Sequence, residues 1–137
     1  MMVSTKGRYA LRIMLDLAQQ EPETYISLTS VSSRQGVSVK YMEAIVAILN
    51  RAGLVESQRG KDGGYRLRRK PSEYSIGSIL KLPEGSLAPV TCLDCEQSGC
   101  DRADSCLTLP MWQRLDEIID GYLEKITLQD LLDGKNI

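Results

Sequence analysis

The sequence predicts a mostly α fold: a winged helix-turn-helix with a two-stranded β wing, a cysteine loop, and a long C-terminal dimerisation helix. Three observations predict it. Apolar residues recur at helical spacing through most of the chain. Two short alternating runs flank the turn GKDG at residues 60–63. All four cysteines crowd into the fifteen residues CLDCEQSGCDRADSC, Cys92 to Cys106, ahead of the longest helical pattern in the chain.

At 137 residues the length suits about one domain with an appended element. An apolar content of 42% supports a core, and the absence of Phe makes that core aliphatic, built on Leu, Ile and Val. The net charge of −1 hides an asymmetry. Residues 1–70 hold 12 Lys or Arg against 6 Asp or Glu, a net of +6, and residues 71–137 hold 5 against 12, a net of −7. A basic half joined to an acidic half points to a polyanion-binding module with a separate regulatory or assembly module, against two solvated surfaces of opposite sign. The N-terminal stretch MMVSTKGRYALRIM holds no continuous apolar run, and no segment approaches the ~20 apolar residues of a membrane span. The expectation is a cytoplasmic protein with no membrane partner, in which clustered cysteines serve metal binding or redox sensing rather than structural disulfides.

The first helix spans residues 5–20, with Tyr9, Ala10, Ile13, Met14, Leu17 and Ala18 in phase and Pro22 beyond its end. Lys6, Arg8 and Arg12 place positive charge near its start, against the helix dipole. A phosphate close by or ordinary solvated charge both account for them. Ser27 caps a short second helix over Leu28 and Val31, and Gly36 suits the left-handed turn that ends it. Ser38 opens a third helix that turns Met42, Ile45, Val46 and Leu49 inward and stops at Gly53. Short helix, glycine turn and longer helix form a helix-turn-helix, whose second helix enters the major groove of double-stranded DNA. Its leading residues are Ser38, Lys40, Tyr41 and Glu43. Ser serves several base edges, Lys guanine or phosphate, and Glu accepts from cytosine.

Residues 54–59 and 64–67 alternate as strands, and Asp-Gly between them marks a hairpin. This wing presents Arg59, Gly60 and Lys61 at its tip, suited to phosphates or a narrow minor groove. Arg66, Arg68, Arg69 and Lys70 follow on the return strand, where they serve DNA or a solvated edge. Residues 74–82 make a short helix ended by Pro83. After the cysteine loop, residues 109–127 carry an apolar stripe of Trp112, Leu115, Ile118, Ile119, Tyr122, Leu123 and Ile126 opposite a charged face. A stripe this long finds its natural partner in a second copy, giving a homodimer matched to a palindromic operator. Part of it also suits packing on its own domain. Thr127 caps a final short turn. The divisions are thus residues 1–82 for DNA binding, 83–108 for the cysteine-rich loop and 109–137 for dimerisation and the C-terminal turn.

The cysteines are spaced Cys-x2-Cys-x4-Cys-x5-Cys, and the protein has no histidine. Thiolate sulfur selects zinc or iron–sulfur clusters over hard cations. A zinc ribbon presents two Cys-x2-Cys knuckles, and only Cys92 and Cys95 form one here. Cluster ligation, a zinc site and a thiol–disulfide switch all stand on spacing alone.

STKGRYALRIMLDLA at the start, the wing GLVESQRGKDGGYRL, SGC-x5-CLT before Trp112 and ITLQDLL near the end resemble the IscR-type winged-helix regulators, relatives of the nitric-oxide sensor NsrR and the cysteine-metabolism regulator CymR. The resemblance covers nearly the whole chain. It implies a homodimeric transcription factor whose DNA affinity depends on an iron–sulfur cluster, with Ser38, Lys40, Tyr41 and Glu43 on the recognition helix and Arg59 on the minor-groove wing. The ligand set departs from that pattern: Cys100 and Cys106 match the family's second and third cysteines, while Leu109 stands where some members carry histidine. The expected metal ligands are therefore Cys92, Cys95, Cys100 and Cys106, holding 2Fe-2S in preference to 4Fe-4S, with zinc as the alternative cofactor. The alternative functions are a thiol-switched or zinc-stabilised DNA-binding regulator and a small iron–sulfur electron carrier; no nucleophile–base pairing suggests an enzyme.

Overall fold

The structure, a computed structural model, describes residues 3–94 and 100–137. Its helices begin where the sequence supplies a short hydroxyl side chain. Ser4, Ser27, Ser38, Ser75 and Thr127 each accept a hydrogen bond from the backbone N–H three residues on, opening α1 (Thr5–Ala18), α2 (Leu28–Gln35), α3 (Val39–Arg51), α4 (Ile76–Glu84) and α6 (Leu128–Asp133). The exception is α5 (Leu109–Lys125), whose Thr108 makes no side-chain cap and whose first turn is set by Pro110.

The core sits where the inward faces of α1, α3 and α4 meet. α1 contributes Ala10, Ile13, Met14 and Leu17, and α3 contributes Met42, Ile45, Val46 and Leu49, each set in helical phase. Ile76, Ile79 and Leu80 of α4 close it. The core is not purely aliphatic, because Tyr74 is 1% exposed. Its hydroxyl donates to the Leu54 carbonyl (2.7 Å) and accepts from the backbone N–H groups of Arg68 and Arg69 (3.0 Å each). The ring therefore fills space while its hydroxyl ties the chain leaving the hairpin to the chain entering it.

The hairpin pairs β1 (Val55–Gln58) with β2 (Gly64–Leu67) in antiparallel register, from Val55 opposite Leu67 to Gln58 opposite Gly64. Gly63 N–H donates to the Gly60 carbonyl (3.1 Å), so Lys61 and Asp62 occupy the centre of the turn. Ile26 bridges Tyr65 through two backbone hydrogen bonds of 2.8 Å, covering the outer edge of β2.

Several elements end a residue or two inside the expected bounds, α1 at Ala18 among them, and two segments differ more substantially. Pro83 does not end α4; it lies in the last turn, where its missing N–H costs one hydrogen bond, and the chain turns at Gly85 (φ 76°). The segment after α5 returns to the core: Ile76 N–H donates to the Ile126 carbonyl (2.8 Å), and Ile126 and Leu128 are buried. Among the described residues no helix is long and apolar enough to cross a membrane.

Candidate nucleic-acid interface and cysteine loop

The outward face of α3 is built from residues one helical period apart. Lys40, Glu43, Ala44 and Ala47 are all exposed, opposite the buried Met42, Ile45, Val46 and Leu49. Ser38 is exposed as well, and its oxygen accepts from Tyr41 N–H (3.2 Å), which leaves its O–H free to donate outward. Tyr41 is placed differently from the expected leading residue. It is half-buried and meets Tyr9 of α1 edge-on, with centroids 5.8 Å apart and planes at 87°. Ala44 and Ala47 escaped the sequence reading because alanine gives no polar signal, although a small apolar side chain in the groove suits the thymine methyl.

At the wing tip Arg59, Gly60 and Lys61 are exposed. Arg66 is committed elsewhere: it pairs with Glu56 (2.6 Å), donates to the Glu23 carbonyl (2.8 Å) and lies 4.4 Å over the Tyr25 ring. Arg69 likewise lies over Tyr74 at 4.7 Å. Lys6 is exposed in the first turn of α1, whose start is fastened to the end of α4 by Ser4 N–H donating to Glu84 Oε1 (2.9 Å). Arg12 does not stand free near a phosphate. Its guanidinium donates to Gln35 at the end of α2.

Of the four cysteines, Cys92 lies exposed in a single 3-10 turn (Thr91–Leu93), Cys100 is exposed and Cys106 is half-buried. Cys95 lies outside the described residues. The Thr108 hydroxyl stands 3.3 Å from Cys106 Sγ, and this contact, helped by backbone N–H groups at the start of α5, holds the thiol below its usual range. Among the described residues no three Cys, Asp or Glu side chains gather into a metal-holding group. The donor chemistry suits a soft metal centre, but the described thiols do not form a preassembled cage.

α5 divides into two faces. Met111, Leu115, Ile118 and Tyr122, at helical intervals, are 54%, 37%, 52% and 51% exposed. No residue of α5 is fully buried. Trp112, Ile119 and Leu123 are half-buried, and Leu123 packs against the core. Ile126, expected on the dimer face, is 4% exposed and belongs to the core, because the bridge between Ser75 and Thr127 draws the end of α5 under α4. Met111 was missed because the stripe was phased from Trp112. Polar groups set the angle between α4 and α5: Lys81 pairs with Asp120 (2.5 Å) and Glu124 (2.9 Å), and Ser75 donates to Glu124 (2.8 Å). The two carboxylates, Asp120 foremost, hold the Lys81 ammonium above its usual range.

A family model described as an iron-dependent transcriptional regulator, Rrf2, matches residues 3–134. The chain is 38% identical over 137 residues to the HTH-type transcriptional regulator IscR of Serratia proteamaculans (strain 568), covering 100% of this chain and 82% of that protein. Among solved structures it is similar to CymR, the global cysteine regulator of B. subtilis, with 34% identity, 99% of both chains covered and a TM-score of 0.79. It is also similar to T. potens IscR, with 36% identity, 98% and 88% coverage and a TM-score of 0.76.

Proposed function

We propose, on the premise that the chain belongs to the Rrf2 family of transcriptional regulators, that it grips a palindromic DNA operator as a homodimer and senses iron–sulfur or redox status through its cysteine loop. The observation that carries the reading is the exposed face of α3, followed directly in the chain by a wing with exposed cations at its tip. Lys40 serves guanine or phosphate, Glu43 accepts from a cytosine amino group, and Ser38 donates to either. Arg59 and Lys61 meet phosphates or the minor groove, and Lys6 meets a phosphate at the start of α1. The exposed stripe of α5 supports a two-fold dimer, since a self-complementary face buries best against its own copy.

Cys92, Cys95, Cys100 and Cys106 are the sulfurs that would hold a cluster, 2Fe-2S ahead of 4Fe-4S, with zinc as the alternative. A bound cluster supplies a one-electron couple and a tie across the loop. Cys106 stands three residues before α5, so constraining its sulfur constrains the start of the dimer helix. A cytoplasmic location accompanies this reading. The exposed Cys92 and Cys100, close in the chain to Cys106, support a second reading, a thiol switch on the same DNA-binding dimer.

The test is the visible spectrum with iron, sulfide and zinc content of protein purified without oxygen, alongside selection of duplexes from a random pool. Colour with stoichiometric iron and sulfide, and weaker binding of the selected duplex once the cluster is removed, is the expected result. A full, equally stable cluster in Cys95→Ala would reject the four-cysteine site. A cluster with no selected duplex in any state would mean an electron carrier, and zinc alone a structural site.

A further inference from the structure

Arg12 lies in the middle of α1 and is exposed. Its guanidinium is nonetheless occupied on three sides. Nε donates to Gln35 Oε1 (2.9 Å) and Nη2 to the Gln35 backbone carbonyl (2.7 Å), one of the carbonyls that the end of α2 leaves without an intrahelical partner. The plane of the group lies 4.7 Å over the Tyr9 ring, and Tyr9 in turn meets Tyr41 of α3 edge-on. Gln35 is held from its other end, since its Nε2 donates to Asp16 Oδ2 (2.9 Å). One side chain thus touches the last residue of α2 directly and the first turn of α3 through a single ring.

The apolar anchoring of α2 explains why this matters. Val31 is its one fully buried side chain and Leu28 packs only partly on the core, so polar ties to α1, the Arg34–Asp16 pair and the Arg12–Gln35 fork, set much of its angle. The turn from α2 to α3 runs through Gly36 at φ 67°, immediately after the clamped Gln35. We infer that Arg12 is a positioning residue for groove reading, fixing the angle of the helix-turn-helix against α1 rather than contacting DNA. The inference rests on the DNA-binding reading above.

A phosphate contact and a positioning role make opposite demands on the side chain. Lysine keeps the charge that a phosphate needs but lacks the planar fork that reaches the carbonyl and Oε1 together. The experiment uses full-length protein and a duplex selected from a random pool by the unaltered chain, with a scrambled duplex beside it. Arg12→Ala and Arg12→Lys are both expected to bind the selected duplex about tenfold more weakly or worse, a loss on the scale of one misplaced base contact. Affinity for the scrambled duplex and the slope of log K against log salt are expected to stay unchanged. Gln35→Ala should give a smaller loss, and the double variant Arg12→Ala/Gln35→Ala should be no worse than Arg12→Ala alone. If the Arg12 variants fail to fold, Gln35→Ala carries the test, and full affinity in it rejects the proposal. Restoration by Arg12→Lys, or equal losses on both duplexes with the salt slope lowered by about one charge, would also overturn it. If the unaltered chain selects no duplex, sequence-specific DNA binding fails instead, before Arg12 is tested.

Discussion

At Gly64 the backbone runs at φ 154°, and a Cβ there would stand 2.2 Å from the Ile26 carbonyl oxygen. Both partners are backbone, held by the Ile26–Tyr65 bridge, so neither can turn aside. Gly64→Ala is expected to cost about 3 kcal/mol, read as a lower urea midpoint with unchanged slope. Asp16 is the other residue on which much depends. It is 2% exposed and accepts from Arg34 Nη2 (2.6 Å), Arg34 Nε and Gln35 Nε2, an arrangement that holds the Arg34 guanidinium above its usual range. Breaking a buried pair usually costs about 3–5 kcal/mol, and because the Arg34 side chain is 41% exposed, Asp16→Asn is expected to cost about 2 kcal/mol, measured by denaturant unfolding. Neither residue was legible as special in the sequence. Asp16 meets partners 18 and 19 residues away, and Gly64 meets a segment on the far side of two helices.

At the scale of elements, helix starts were legible because a capping serine is a local device: Ser27 and Ser38 cap where the sequence reading placed them. Ends were less so, as the passage of α4 through Pro83 shows, since a proline in a last turn loses little. The short α6 gives a prediction. Thr127 and Asp130 cap it reciprocally, and the Thr127 N–H holds the Asp130 carboxyl below the usual carboxylate range. A group whose folded pKa is depressed stabilises the fold above its unfolded value, about 3.9, and that contribution is lost as pH falls through the folded value. Melting temperature should therefore fall more steeply on acidification below about pH 4 in the unaltered chain than in Asp130→Asn. Thr127→Ala, which removes the cap itself, should cost about 1 kcal/mol at neutral pH.

At the scale of the molecule, the two faces of α5 predict opposite outcomes for similar substitutions. Ile118 is 52% exposed in the single chain, so in the proposed dimer Ile118→Asp should leave the fold intact while shifting sedimentation to the monomer. Affinity for the proposed palindromic operator should then fall about a hundredfold, because its second half-site would no longer bind at high effective concentration. Ile126 is 4% exposed, and Ile126→Ala should instead lower unfolding stability by about 3 kcal/mol with no direct effect on association.

The sequence by itself determined the order of elements, the helix-turn-helix with its wing and the crowding of the thiols, because periodicity, caps and turn residues act over a few neighbouring positions. Only the tertiary structure decided that Arg12 and Arg66 are tied into the protein, that Tyr41 leans on Tyr9, and that Ile126 closes the core. The physical reason is that the partner of a charge, or the face of an amphipathic stripe that is covered, depends on segments distant in the chain that only folding brings into contact.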